Sequence, residues 1–104
     1  MASSKEFVLY VTEQVDGLTA RQMMGDYVLY YQDKVVGGIY DNRLLVKPTS
    51  QSKILLENAE YQKPYDGAKE MLLVEDLEDK EGLKKLIETI SRELPNRKGK
   101  VNRI

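Results

Sequence analysis

The sequence predicts an α+β domain in two layers, with helices packed on one face of an antiparallel sheet of about five strands. Apolar residues recur at helical spacing near both ends of the chain, and residues that favour strands fill the middle. Short turn signals separate the strands and no strand–helix–strand alternation occurs, so we expect antiparallel neighbours. The expected order is α-β-β-β-β-α-β-α, over one domain of residues 1–95.

The first helix is predicted over residues 4–16. Ser3 and Glu6 have the spacing of a capping box, which satisfies the free amides at a helix start. The apolar residues that follow have helical spacing, and Gly17 is a typical residue just after a helix end.

Four consecutive strands are predicted, namely Thr19–Met23, Tyr27–Tyr31, Val35–Tyr40 and Arg43–Lys47. Gly25–Asp26, Gln32–Asp33 and Asp41–Asn42 separate them as turns, and Asn and Asp tolerate the positive φ angles of tight hairpins. The Gly37–Gly38 pair lies inside the third strand. It predicts a β-bulge there, or a close approach of another segment.

The second half of the chain is predicted to contribute a helix, a strand and a helix. Thr49 and Ser50 are the candidate caps of a short helix that reaches about Glu57, residues 58–68 form a loop, and Met71–Glu75 is an isolated strand. Pro95 ends the last helix. The predicted buried stripe of that helix consists of Leu83, Leu86, Ile87, Ile90 and Leu94.

An acidic cluster precedes the last helix, and Asp76 or Asp79 is its predicted cap. Acidic residues are favoured at a helix N-terminus by the helix dipole, and this is the simplest interpretation of the cluster. The alternative is a Ca²⁺ or Mg²⁺ site. An EF-hand loop would need an oxygen ligand where Lys80 stands and a glycine where Glu81 stands.

The chain contains no histidine and no cysteine. Without imidazole and thiol, Ser-His-Asp and Cys-His nucleophilic sites, disulfides and the common zinc sites are excluded. Carboxylates, lysine, tyrosine and serine remain, so catalysis is restricted. Neither G-x-G-x-x-G nor a P-loop is present. We expect no catalytic residue, no cofactor and no metal ion.

The net charge of −1 is unevenly spread. Residues 96–104 hold four basic residues and no acidic one, which leaves −5 on residues 1–95. We expect this tail to be disordered. Its alternative role is to bind phosphate or nucleic acid, although it has no aromatic residue on which bases stack. The charged N-terminal segment is unlike a signal peptide and no long apolar run occurs, so we expect a cytoplasmic protein without a membrane span.

Tyrosines are concentrated in the predicted strands. Alternation places Tyr27 and Tyr31 on one face of the sheet and Tyr30 on the other, with Tyr40 further along. These residues are either half-buried members of the sheet or a binding or dimer surface.

Three basic residues of the predicted strands also have two interpretations. Arg21, Arg43 and Lys47 either gather an anion on the sheet or pair with exposed carboxylates, and their spacing does not decide.

The segment from Arg21 to Tyr30 resembles the signature of the TfoX/Sxy family N-terminal domain. That family shows Arg, then Met, Gly and Tyr at the spacing of Arg21, Met23, Gly25 and Tyr27 here, followed by an aliphatic–Tyr pair. The resemblance covers most of residues 4–94. Its further matching positions are Lys34, Asp41, Leu44, Lys47, Tyr65 and Met71.

The sequence departs from the family pattern in two ways. Family members often have two consecutive glycines where this chain has Gly25–Asp26. Full-length members also carry a second, helical domain, whereas nine residues follow Pro95 here. The chain therefore resembles a stand-alone N-terminal domain.

The resemblance implies a non-enzymatic regulatory or adaptor domain. The family is associated with bacterial competence, through transcription and not through catalysis, and its fold is similar to small α+β folds that include dimeric chaperone-like proteins. The resemblance also implies structural roles for the motif residues Met23, Gly25, Asp41 and Leu44. The expected partner is an unidentified protein, with the transcription machinery as one candidate.

We predict Arg21, Tyr27, Tyr30, Arg43 and Lys47 as exposed or half-exposed contact residues for this partner. Two alternatives remain beside protein–protein contact. One is nucleic-acid binding through the basic tail, and the other is a small-molecule site or a histidine-free enzyme that uses Lys, Tyr and a carboxylate. The open edge of the sheet additionally predicts a weak homodimer, and the alternative is a monomer whose edges Lys34 and Lys47 protect.

Overall fold

A computed structural model describes residues 3–95, which form three helices and one six-stranded sheet. In chain order the elements are α1 (Lys5–Gln14), β1 (Leu18–Met23), β2 (Asp26–Tyr31), β3 (Lys34–Tyr40), β4 (Arg43–Val46), α2 (Ser50–Leu55), β5 (Tyr61–Gln62), β6 (Met71–Val74) and α3 (Lys80–Glu93). The predicted α+β class is confirmed. The tail of residues 96–104, predicted to be disordered, lies outside the described residues. Over residues 3–95, no helix combines the length and apolarity that a membrane crossing requires.

All neighbouring strands are antiparallel, in the order β1-β2-β3-β4-β6-β5. The strand predicted at residues 71–75 is confirmed as β6, which pairs with both β4 and β5 in the sheet. The sixth strand, β5, lies in the predicted loop. It has only two residues, and a strand that short leaves no alternation in the sequence.

Three two-residue turns connect the first four strands, and all six turn residues have positive φ. They are Met24–Gly25, Gln32–Asp33 and Asp41–Asn42. Positive φ at both positions defines the type I′ turn, whose twist matches that of the flanking strands. The last two turns were predicted. The first is one residue earlier than expected, since Asp26 already pairs with Met23.

The start of α1 also differs from the prediction. Ser4, not Ser3, caps the helix, and its hydroxyl accepts a hydrogen bond from the Phe7 amide at 3.1 Å. Ser3 is buried and joins the two hairpins instead. Its amide donates to the Gly25 carbonyl and its hydroxyl accepts from the Asn42 amide.

The main core lies between the helices and one face of the sheet, which we call the inner face. The predicted stripe of α3 is confirmed from Leu83 to Ile90, whereas Leu94 is half-buried. Strand β2 shows the alternation most clearly, with every second residue buried. The strand residues buried in this core are Leu18, Tyr27, Leu29, Tyr31, Val36, Ile39, Leu44, Val46, Leu72 and Val74.

Gly37 and Gly38 lie where the sheet is most crowded. The register between β2 and β3 shifts next to Gly37, so the predicted bulge is confirmed. A Cβ on Gly37 would collide with the backbone of Leu45 and Val46, and one on Gly38 would lie within 2.6 Å of the Tyr40 ring. Both interpretations of the pair, bulge and close approach, therefore hold together.

A second, smaller group of buried residues lies on the opposite face, which we call the outer face. Leu45 pairs with Gly38 and Leu73 in register, so the three share this face, and Leu45 is fully buried. The helices are on the other side. Residues 63–70, which we call the outer-face segment, and the Tyr40 ring lie on the outer face near Leu45, and Pro64 within this segment is buried.

Candidate interaction surface on the outer sheet face

Cross-strand partners share a face, so the register assigns each predicted contact residue to one side of the sheet. Arg21 pairs with Val28, Tyr30 with Val35, and Arg43 with Tyr40, which places all of these on the outer face. Lys47 lies just beyond β4 and lines a hollow on the same face.

Tyr27 was predicted to be exposed or half-exposed, and the structure corrects this. It pairs with Ile39 on the inner face and is 8% exposed. Alternation correctly separated Tyr27 and Tyr31 from Tyr30. However, alternation alone does not reveal which face the helices cover.

Arg43 is half-buried and fastens the outer-face segment to the sheet. Its guanidinium donates to the Gln62 side-chain oxygen at 2.6 Å and to the Tyr40 carbonyl at 3.0 Å. Longer contacts at 3.4 and 3.5 Å reach the carbonyls of Lys63 and Pro64. These partners use the planar fork that distinguishes arginine from lysine.

An anion site shared by the basic residues was one of two interpretations, and the structure does not favour it. Arg21 is on β1 and Arg43 on β4, and two strands separate them in the sheet. Strands are spaced by about 4.8 Å, so β1 and β4 are roughly 14 Å apart. Arg21 instead lines a shallow hollow of about 620 Å³ with Tyr30, Gln32 and Asp33.

An apolar surface lies where the β1–β2 turn meets the outer-face segment. It consists of Met23, Met24, Val28, Tyr40 and Tyr65, and we call it the tyrosine–methionine surface. Tyr40 and Tyr65 meet edge to face, with ring centroids 6.2 Å apart. Met23 is 53%, Met24 98% and Tyr65 63% exposed.

A hollow opens on each side of the Tyr40–Tyr65 pair. The first has a volume of about 390 Å³ and is lined by the tyrosine–methionine surface together with Asp26 and Tyr27. The second has about 410 Å³, and its lining includes Val35, Lys47, Pro64 and Met71. Both are open and mainly apolar, which suits the side chains of a protein segment.

Met24 is an unusual residue for its position. Its φ is +52°, in a turn where Asn, Asp or Gly is ordinarily found. A left-handed conformation costs a non-glycine residue about 1 kcal/mol or more, and a side chain that is almost fully exposed recovers none of this in the fold. Sequence reasoning missed Met24 and Tyr65. An apolar residue at a turn position was the available signal for the first.

One polar group at this surface, the Asp26 carboxylate, is already engaged in hydrogen bonds. The Asp26 carboxylate accepts from the Ser3 hydroxyl at 3.4 Å and from the Asp41 amide at 3.3 Å. Burial raises the pKa of the Tyr40 phenol, and Tyr65 and the Asp26 charge raise it further. The phenol therefore stays neutral and offers a hydrogen bond, not a nucleophile, near neutral pH.

The four motif residues divide between turns and core. Gly25 and Asp41 occupy positive-φ turn positions, with φ of +91° and +54°. Leu44 is 1% exposed in the main core. Met23 closes the first turn opposite Asp26, and its side chain is largely exposed on the outer face.

A lysine, a tyrosine and a carboxylate also approach one another beside α3. The Tyr31 hydroxyl donates to Glu88 at 3.4 Å, and burial first and Glu88 second raise the pKa of Tyr31. The Lys34 ammonium donates instead to the Ser91 carbonyl at 2.8 Å. Ser91 lies in the last turn of α3, and its carbonyl also accepts from the Leu94 amide at 3.3 Å. Lys34 therefore adds a positive charge at the C-terminal end of the helix, where the helix dipole favours it.

The acidic cluster before α3 serves the helix start. Asp79 is the cap, and its carboxylate accepts from the Gly82 amide at 3.0 Å. Asp76 accepts from the Glu78 amide at 3.3 Å. Over residues 3–95, no group of three or more acidic side chains is arranged to hold a metal ion.

Comparison with known proteins identifies the family. The TfoX N-terminal domain family matches residues 11–89, which is most of the chain. The "Uncharacterized 12.7 kDa protein in trpE 5'region" of Spirochaeta aurantia is 36% identical over 80 residues, which cover 74% of this chain and 70% of that protein. No solved structure matches the chain significantly. On these matches, the chain belongs to the TfoX N-terminal domain family.

Proposed function

We propose that this domain is a non-enzymatic adaptor in gene regulation and that it acts by binding another protein through the tyrosine–methionine surface. Membership of the TfoX N-terminal domain family supports a domain of the regulatory type. Regulation of competence and the transcription machinery are the process and the partner that we consider first.

The observation that carries this proposal is the strained, exposed methionine in the β1–β2 turn. Met24 gains nothing in the isolated domain from its side chain, which is 98% exposed. Methionine is flexible and polarisable, so it adapts to apolar partners of varied shape. Beside it, Tyr65 and Tyr40 add aromatic area with polar tips, which is typical of the centre of protein interfaces.

The form of the surface indicates the kind of partner. Two apolar hollows of about 390 and 410 Å³ flank the tyrosine pair, so a bound segment would place one side chain in each. The partner is therefore a protein segment with two apolar anchors. Lys47, Lys69 and Glu70 line the second hollow, so its charged residues leave one net positive charge, which favours an acidic residue close to the second anchor.

Site-specific photocrosslinking in the native host tests this proposal. A photoreactive phenylalanine analogue replaces Tyr65, and a matched probe replaces Tyr10, which is exposed on α1. We expect the probe at position 65 to form one dominant protein adduct that the position-10 probe does not form. Met24→Ser should then reduce this adduct by tenfold or more.

Two results would contradict the proposal. One is the same adduct pattern from both positions. The other is an unchanged position-65 adduct in the Met24→Ser variant. Ile54→Ser provides the matched control, since Ile54 is also exposed but lies on α2, away from the outer face.

A further inference from the structure

Strand β1 leaves one edge of the sheet open. It has six residues, whereas β5 at the opposite edge has two. β1 contains no proline, it pairs with β2 without a register shift, and Arg21 is its only charged residue. Edge strands are usually shortened, bulged or strongly charged to prevent pairing, and β1 has little of this protection.

The turn at Met24–Gly25 determines which backbone groups point out of the sheet. In a two-residue hairpin the closing pair, here Met23 and Asp26, exchanges hydrogen bonds, and bonded and non-bonded pairs then alternate along the strands. The amides and carbonyls of Ala20 and Gln22 therefore point away from β2.

Leu18 supports this assignment. By the same alternation its amide should point away from β2, and it donates to the Val15 carbonyl at 3.1 Å. The outward groups left for a neighbouring strand are the Leu18 carbonyl and both groups of Ala20 and of Gln22.

We propose that β1 pairs with β1 of a second copy of this chain, antiparallel, with Ala20 on the two-fold axis. Each Ala20 then exchanges two hydrogen bonds with the other Ala20. The backbone amide of each Gln22 also donates to the Leu18 backbone carbonyl of the second copy. The two sheets become one continuous sheet.

Charge selects this register. Only one other antiparallel alignment of the outward groups gives as many hydrogen bonds, and it pairs Ala20 with Gln22. It places the two Arg21 side chains directly opposite each other, where like charges destabilise a sheet. With Ala20 on the axis, Arg21 stands opposite Thr19 of the second copy, and both residues are exposed in the single chain.

The helix beside this edge offers further apolar area. α1 packs on β1 more than on any other strand, and its Leu9 and Tyr10 are exposed. A six-residue strand pair with one flanking helix is a small interface, so the dimer should be weak and should dissociate on dilution. This inference does not depend on the proposed function. It would place two tyrosine–methionine surfaces on the same side of one sheet, which would strengthen binding to a bivalent partner.

Cysteine crosslinking tests the register, because the chain has no cysteine of its own. Thr19→Cys and Arg21→Cys proteins are oxidised separately and as a mixture. With Ala20 on the axis, the mixed disulfide should dominate, since facing residues of a non-bonded pair have Cα atoms about 4.5 Å apart. A dominant Arg21→Cys homodisulfide would overturn the proposal, as would the absence of any disulfide at high protein concentration.

Sedimentation of two Ala20 variants tests the backbone contact. Ala20→Pro removes only an outward amide, a position that tolerates proline in edge strands, and Ala20→Ser retains it. We expect Ala20→Pro to weaken the dimer at least tenfold and Ala20→Ser to leave it intact. Equal dimerisation of both variants, with unchanged circular dichroism, would contradict the proposal. Should Ala20→Pro fail to fold, the disulfide pattern decides alone.

Discussion

Single residues in left-handed conformations shape the outer face. The three hairpin turns each need positive φ at two positions, and Asp33, Asp41 and Asn42 are residue types that accept it readily. Met24 and Gln32 are not of this type. Of the two, Met24 is the apolar one, and its turn borders the tyrosine–methionine surface. The sequence therefore combines poor turn chemistry with an exposed apolar side chain at the place where we propose contact with a partner.

Met24→Asn should stabilise the isolated domain by about 0.5–1 kcal/mol, because asparagine accepts the left-handed conformation at smaller cost. Urea unfolding followed by circular dichroism measures this. The same substitution should weaken the crosslink from position 65. A loss of stability would mean that the Met24 side chain supports the fold, contrary to its exposure.

Glu93 attaches α2 to the end of α3. Its carboxylate accepts from the Ser50 hydroxyl at 2.7 Å and from the Gln51 amide at 3.0 Å. The pKa of Glu93 is lowered, first by a hydrogen bond from Thr49, then by those from Gln51 and Ser50. These contacts favour the charged carboxylate in the folded protein.

The pH dependence of stability follows from the direction of this pKa shift. A folded-state pKa below the ordinary value of 4.5 adds stability that is fully present above that value. The contribution is lost as the pH falls through the folded-state pKa. We expect Glu93→Gln to be less stable than the parent at pH 7 and the difference to shrink below about pH 4. A difference that is constant from pH 7 to pH 3 would contradict this interpretation.

At the scale of elements, the two glycines of β3 have different roles, one in the packing of the sheet and the other in forming the outer surface. Gly37 leaves room for the backbone of β4, and Gly38 leaves room for the Tyr40 ring. The β4 backbone cannot move away without breaking hydrogen bonds between the strands, whereas the aromatic ring can rotate away.

The two glycine-to-alanine variants should therefore differ. Gly37→Ala should cost about 1–3 kcal/mol or more, because the added methyl overlaps β4 backbone. Gly38→Ala should cost less and should shift the NMR signals of the Tyr40 and Tyr65 rings. Equal losses of stability, with unchanged tyrosine signals, would show that Tyr40 does not rest on Gly38.

Local patterns predicted the elements that depend on short-range chemistry. The Asp41–Asn42 turn and the stripe from Leu83 to Ile90 were correct, since turn preference and helical period are local. The two-residue β5 was missed because it exists only by pairing with β6. Arg43 seemed a free contact residue because its partners lie about twenty residues away in the chain.

The candidate surface could be predicted only in part. Alternation separated Tyr30 from Tyr27, but the covered face depends on how α1 and α3 pack, which no strand pattern contains. Tyr65 lies in a predicted loop. Its contact with Tyr40 depends on the segment that Arg43 holds against the sheet.

At the scale of the whole molecule, the two faces of the sheet differ in how far other parts of the chain cover them. The inner face buries the main core under the helices, and the outer face is covered only near β4 and β6. Leu45 is the fully buried residue of that partial cover. The tyrosine–methionine surface lies where this cover meets the β1–β2 turn.

Leu45→Ala should destabilise the domain by about 2–4 kcal/mol, as for a core leucine, although its side chain points away from the helices. The half-buried Leu73 beside it gives the matched control, and Leu73→Ala should cost clearly less. Thermal and urea unfolding of both variants provide the comparison. Equal and small losses would show that the outer-face segment does not form a second core.

The central claim is that the domain works through its outer face. The most direct measurement is complementation of a deletion strain of the native host, with transcript levels as the readout, by the double variant Met24→Ser/Tyr65→Ser. We predict that this variant loses regulation while the purified protein keeps the parent unfolding temperature. The control Ile54→Ser/Leu55→Ser, which removes exposed apolar residues from α2, should complement fully. Full complementation by the Met24→Ser/Tyr65→Ser variant would contradict the claim.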